Sequence, residues 1–205
     1  LVGDDRPDLL LVGALGTFQV LANLSEPGAL KFNVVEAFLG LPPGPAVAAT
    51  LADLDANGFV DLLLVSGDSL FVYRNSEGKF MPAAEYGTEL KVPSGVVAGA
   101  VIANDPGPHV VLSHAGVGDD RSGFINNNGV LMPEKLTAKL CPNGASSLNV
   151  GDADMGRALD LVFGCVSGRV TVAGVDAIKP YVRMFDSGMP GLTSVGVLDL
   201  YGDDE

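Results

Sequence analysis

The sequence predicts an all-β chain assembled from repeated four-stranded meanders. Three observations carry this prediction. Short apolar runs are bounded by Gly, Asn, Asp or Ser; no stretch holds a 3.6-residue apolar period over ten or more residues; and the chain resembles itself at a period of about 50 residues. The strand runs are Asp8–Val12 (DLLLV), Phe18–Leu21, Asp61–Val65 (DLLLV again), Leu70–Tyr73, His109–Leu112, Asp160–Phe163 and Val170–Val172. Gly (27) and Pro (13) make up about a fifth of the 205 residues, which calls for many turns and argues against a helical bundle.

The clearest copy is Leu51–Phe80: an apolar strand, an acidic turn, the DLLLV strand, a Gly-Asp-Ser turn, the strand LFVYRN and a Gly turn. Asp8 aligns with Asp61 at a shift of 53, so the first copy holds only the second half of the unit and lacks its opening strand. Asp160 aligns with Asp61 at a shift of 99, which leaves room for one copy between them. Val96–Met132 fills that space as a degenerate unit, with Val101, Ala103 and His109 set against Asp53, Asp55 and Asp61. Val195–Glu205 opens a fifth unit.

Four short strands per 50-residue unit fit a β-propeller blade. The blades are expected at residues 1–45, 46–94, 95–144 and 145–191, with 192–205 beginning the next blade or supplying a closing strand. Either four blades close on themselves, or the chain is an arc of a larger ring. The arc is favoured, because the chain starts on Leu with no basic-then-apolar leader.

Asp53, Asp55, Asn57 and Asp61 place oxygen side chains at loop positions 1, 3, 5 and 9, with Gly58 at position 6 permitting a sharp bend. The Phe59 carbonyl at position 7 and water would complete six or seven ligands for Ca²⁺. Position 12 is Leu64, not Glu, and the flanks read as strands, so the loop is not an EF-hand. Three carboxylates in nine residues repel one another, and a divalent cation turns that repulsion into a clasp. A plain acidic turn is the alternative. Asp152, Asp154 and Asp160 form a weaker second set, with Gly156 at position 5 and Arg157 bringing a competing charge. Asp4 and Asp8, and Asp199 and Asp203, are halves of two further loops, and the third loop has lost the acids at the matching positions.

DLDANGFVDLLLV followed by LFVYRNSEGKF resembles the FG-GAP/VCBS repeats that build the calcium-binding propellers of integrin α subunits, and the mixture of intact and degenerate copies is similar to the ectodomains of T-cell immunomodulatory proteins. The Phe-Gly and Gly-Ala-Pro signatures are not intact. The resemblance implies an extracellular or lumenal module, used for adhesion or ligand recognition, whose calcium ions are structural.

Cys141 and Cys165 lie 24 residues apart with neither CxxC spacing nor a partner His, so they form one disulfide or pack as two separate thiols. Asn23-Leu24-Ser25 is an N-glycosylation sequon, relevant only in a secreted protein. A formal net charge of −13 disfavours nucleic acid and anionic lipid as partners, and no apolar run reaches the roughly 18 residues of a membrane span.

No catalytic arrangement is legible. GxSxG, HExxH and phosphate-loop patterns are missing, and His109 and His114, five apart on a strand, point to opposite faces unless a bulge intervenes. Asn126–Gly129 reads as a hairpin turn, and Tyr73, Tyr86 and Tyr181 as packing residues more than as a sugar platform. The expectation is a non-enzymatic binding module recognising a protein partner. The alternatives are a lectin-like propeller holding glycan between blades and a scaffold region of a larger secreted enzyme.

Overall fold

The structure, a computed structural model, describes residues 6–13, 18–35, 46–82, 90–92, 95–102, 109–115, 121–127, 130–134, 140–153, 159–174, 182–189, 192 and 194–196. Among these residues there are sixteen strands in four antiparallel sheets and no helix. The first sheet is β1 (Leu9–Val12), β2 (Phe18–Asn23) and β3 (Phe32–Val35); its three strands match the copy that lacks an opening strand. The second is β4 (Ala46–Ala52), β5 (Asp61–Ser66), β6 (Ser69–Ser76) and β7 (Lys79–Pro82), in that order. β8 (Leu90–Lys91) pairs with the other end of β6, so the outer edge of this sheet is made in two pieces. The third sheet runs β9 (Val96–Ile102), β10 (His109–His114), β11 (Arg121–Asn127), β12 (Val130–Glu134), and the fourth β13 (Ala145–Gly151), β14 (Asp160–Cys165), β15 (Arg169–Gly174), β16 (Val182–Asp186). Asn126 and Asn127 belong to β11; Asn128 and Gly129 lie outside the described residues.

Register repeats as well as strand order. The last residue of each opening strand pairs with the first of the next: Ala52 with Asp61, Ile102 with His109, Gly151 with Asp160. Near its start each opening strand also carries one extra residue, Val47, Val97 or Ser146, where the pairing shifts. Such bulges bend and twist a strand. The third copy differs from its expected alignment: Val101 lies within β9 opposite Val110, so six residues, not eight, join the paired positions Ile102 and His109. Val101 and Ala103 therefore do not correspond to Asp53 and Asp55; two residues of the loop are missing. Counting back from His109 without a gap hid the deletion.

The chain divides into two compact units: one holds β1 to β8 with Ile125–Met132, the other holds β9, β10 and β13 to β16 with the remainder of β11 and β12. In the first unit Val20, Leu62, Leu64, Tyr73 and Phe80 form the core, with Leu10, Val35, Ala46, Ala49 and Phe71 against it. Every residue of β5 is buried, which explains why DLLLV shows no alternation: both faces of a central strand are covered. An open groove runs between β1 and β4, lined by Leu9, Leu10, Val12, Val47 and Leu51 among others. Leu9 and Val47 remain 44% and 49% exposed there, more apolar surface than a solvent-facing strand normally shows.

In the second unit β9 lies beside β13, and Ala100, Val111, Leu161, Phe163 and Ala173 pack around Leu140, Cys141, Ala145 and Cys165. Cys141 and Cys165 form a disulfide, Cα atoms 5.3 Å apart, both buried, which decides between the two readings of the cysteines. Its frame is a turn in which Gly144 N–H donates to the Cys141 carbonyl (2.9 Å) and Thr171 Oγ1 donates to the Leu140 carbonyl (2.9 Å).

Two outcomes follow from this packing. Closing a loop of 24 residues restricts the unfolded chain by about 3 kcal/mol, so the Cys141→Ala/Cys165→Ala variant is expected to lose stability on that scale in urea unfolding. Burial pushes the Tyr73 phenol up to about 12. The neutral phenol's contribution is complete below the ordinary tyrosine value near 10 and is lost as pH rises through about 12. In a 295 nm titration, the difference between the protein and Tyr73→Phe should be a phenolate signal that emerges near pH 12 and not near 10.

Candidate metal centre

The loop between β4 and β5 begins where the opening strand exits and ends where the buried strand starts. The carboxylates of Asp53, Asp55 and Asp61 each offer an oxygen, and these oxygens lie within 4.8 Å of one another. At an effective dielectric of about 20, like charges that close repel by about 3 kcal/mol per pair before solvent screening. Local hydrogen bonds fold the loop around them. Asp53 accepts the N–H of Asn57 (3.1 Å) and of Gly58 (2.9 Å); Asp55 accepts the same Asn57 N–H (3.2 Å) and the Asn57 side-chain amide (3.2 Å). Asn57 Oδ1 in turn accepts Phe59 N–H at 2.7 Å. The bend needs two residues with positive φ: Gly58 (87°) adopts it freely, while Ala56 (58°) does so at a steric cost of about 1 kcal/mol.

Asp61 is wholly buried and acts as a strand tie. Its Oδ2 accepts Leu54 N–H (2.9 Å), fixing the exit of β4, and its Oδ1 accepts Asn75 N–H (2.8 Å), fixing β6. Burial raises its carboxyl above the ordinary range; the two backbone N–H groups oppose that rise, and the charges of Asp55 and Asp53 add to it. The Arg74 guanidinium pairs with Asp55 Oδ2.

As a donor set the loop fits a hard divalent cation. Carboxylate oxygens are the ligands Ca²⁺ prefers, and each Asp61 oxygen, after accepting one N–H, keeps a second lone pair. Asp53, Asp55 and Asp61 are the residues that would hold the ion, and Asn57 Oδ1, which accepts one N–H, likewise keeps a second lone pair. Asn57 Oδ1 is turned onto Phe59 N–H, and the half-buried Phe59 closes the bend.

The other expected positions divide. Asp160 is buried and its Oδ2 accepts Ala153 N–H (2.8 Å), the same tie that Asp61 makes to Leu54 seven residues before it. Asp152 is exposed, and Asp154 lies outside the described residues, as do Asp4, Asp199 and Asp203. Asp8 Oδ1 accepts Asn23 N–H at 2.8 Å. Asn23, the sequon residue, is half-buried; its amide donates to the Pro7 carbonyl (3.0 Å) and its Oδ1 accepts Ser25 N–H (2.9 Å). His114 and its neighbour Ser113 sit inside the third sheet. Ser113 is buried and donates to the Ala98 carbonyl (3.4 Å), and His114, also buried, pairs with Val96 just past the bulge at Val97. Tyr73 is a core residue; Tyr86 and Tyr181 lie outside the described residues.

Comparison with known proteins adds no relative: no family model and no curated protein matches the chain. The repetition is therefore best read within the molecule itself.

Two functions in this region escaped the sequence reading. Asn75 is fully buried, donating from its amide to the Val60 carbonyl (3.0 Å) and accepting Gly78 N–H (2.9 Å). Asn23 does the same in the first sheet with Pro7 and Ser25, so Asp8 with Asn23 and Asp61 with Asn75 form one recurring latch. The signal was the Asn that ends both FQVLAN and LFVYRN. Arg74 was also passed over, although the two-residue turn at Gly67 and Asp68 fixes the hairpin register. One step beyond the pair Leu62 and Tyr73, Arg74 stands opposite Asp61.

Removing the buried Asn75 side chain strands a carbonyl and an N–H. Asn75→Ala should cost about 2–3 kcal/mol in chemical denaturation. Asn23→Ala, at a half-buried copy of the same latch, should cost about 1 kcal/mol.

Proposed function

We propose that this chain is a calcium-stabilised propeller module of the FG-GAP type that recognises a protein partner in an extracellular or lumenal compartment. The observation that carries the reading is the convergence of Asp53, Asp55 and Asp61 at the bend between two strands of a meander that recurs along the chain. Four sheets in sequence order, three of which share opening-strand register and bulge position, support radial blades.

The loop's own residues do most of the work. Asp61 holds β4 and β6 together, while Asp53 and Asp55 fold the bend into a cup of oxygens. A cation bound there supplies positive charge that cancels the carboxylate repulsion and makes the bend rigid. Rigid bends give a binding face of fixed loops, which lowers the ordering cost of partner association. The disulfide supports an oxidising compartment, where such bonds persist. The apolar groove between β1 and β4 supports a protein surface as partner more than a polar glycan. Among the described residues no helix is long and apolar enough to cross a membrane.

Thermal melting in calcium and in chelator tests the reading. Calcium at a hundred times its Kd should stabilise the protein by about 2.7 kcal/mol, and Asp55→Ala with Asp61→Ala should abolish that increment, whatever its effect on the baseline. Identical melting of the unaltered protein in calcium and in chelator would remove the cation from the proposal.

A further inference from the structure

The charge count at the bend is not that of three carboxylates alone. Asp53, Asp55 and Asp61 contribute three negative charges and Arg74 one positive charge, leaving a net −2. Arg74 is held there by its strand. Its neighbour Tyr73 pairs with Leu62, its other neighbour Asn75 is latched to Asp61, and Arg74 itself pairs across the sheet with Met81. Asp55, its partner, has a side chain only 12% exposed, so the pair is better shielded from water than a surface ion pair.

Comparison among the repeats sharpens the point. In the first sheet Asn23 takes the place of Asn75, which puts Ala22 in the position of Arg74. In the fourth sheet Gly174 stands opposite Asp160, where Arg74 stands opposite Asp61. Neither of those residues carries charge. At this register position the cationic side chain occurs in the second sheet, beside the loop in which, among the described residues, three carboxylates converge.

We infer that Arg74 is the resident counter-ion of the β4–β5 loop, holding Asp55 in the metal-free protein and competing with a divalent cation for it. Because the guanidinium stays charged at all working pH values, this compensation is permanent, unlike that of a titrating group. It keeps the loop folded when calcium is scarce and lowers its calcium affinity when calcium is present. The second half of the inference rests on the calcium reading above; the first half does not.

The experiment compares the full chain with Arg74→Gln, Arg74→Lys, Asp55→Asn and the Asp55→Asn/Arg74→Gln double variant. In chelator, Arg74→Gln should melt about 2–4 °C lower than the unaltered protein. Arg74→Lys should retain most of the difference, and adding Asp55→Asn to Arg74→Gln should restore melting, because the unbalanced carboxylate is gone. A purely packing role for the arginine stem would show no such rescue. Titration with calcium chloride should show Arg74→Gln binding about tenfold more tightly than the unaltered protein, since one repelling charge has been removed.

Melting of Arg74→Gln equal to that of the unaltered protein in chelator, or failure of Asp55→Asn to rescue it, overturns the counter-ion role. Calcium affinity that is unchanged or weaker in Arg74→Gln overturns the competition. If neither protein responds to calcium, the calcium reading and the competition fall together, while the chelator measurements still decide whether Arg74 is a counter-ion.

Discussion

A carboxylate with no contact with solvent joins three strands of the second sheet. Asp61 opens the fully buried strand β5, and its two oxygens accept N–H groups from the exit of β4 and the end of β6. Those donors sit where neighbouring strands diverge, beyond the reach of the regular ladder, so without an acceptor they would be left unsatisfied. An amide could serve only one of them, because its second arm is itself a donor. The requirement for two acceptors on one short side chain selects aspartate, and its desolvation is the cost, visible in the raised carboxyl of Asp61. Asp160 makes the first of these bonds in the fourth sheet and Asp8 the second in the first sheet. One acid at one register position thus organises the meander wherever it occurs.

That dependence explains what could be read from residues alone. The repeat was legible because Asp and the following apolar run recur together; six of the seven strand runs identified in the sequence lie within longer strands of the structure, and the first, Asp8–Val12, exceeds β1 by Asp8. β5 was recognisable as a strand from DLLLV, and the structure adds that it is buried along its whole length. The bulges at Val47, Val97 and Ser146 were not legible: an extra residue on one strand is defined only by its partner's register, and valine or serine at that place carries no mark of it. The two-residue deletion in the third loop was hidden for the same reason. Cysteine pairing stayed open because a separation of 24 residues fits several geometries. It is settled by the turn at residues 141–144 and by the pairing of Ala145 with Cys165.

In the loop itself the spacing of Asp53, Asp55 and Asp61 announced a cluster, but not what surrounds it. Acidic residues at positions 1, 3 and 9 draw attention to each other, whereas Arg74 is distant in sequence and arrives through hairpin register. Asn57 shows the same: its position marks it as a ligand candidate, and the structure adds that its side chain also bonds Phe59, Asp55 and the Asn75 carbonyl, just as the aspartate oxygens accept N–H groups of the bend. Spacing identifies which oxygens can converge; hydrogen bonds show what else each of them holds.

The third sheet separates what the fold requires from what the acids add. It keeps the opening strand, the bulge at Val97 and the pairing across the bend, with His109 in place of aspartate and a connection two residues shorter. Val110, Val111 and Leu112 are buried there as Leu62, Leu63 and Leu64 are in the second sheet. A four-stranded meander therefore forms with a shorter connection and with no aspartate opening its central strand, and apolar burial with ladder pairing is sufficient for it. In the second sheet Asp53 and Asp55 instead shape a bend two residues longer, accepting the N–H groups of Asn57 and Gly58, and they carry a standing repulsion that one arginine only partly cancels. On the function proposed above, a divalent cation would offset the part of that repulsion that Arg74 leaves.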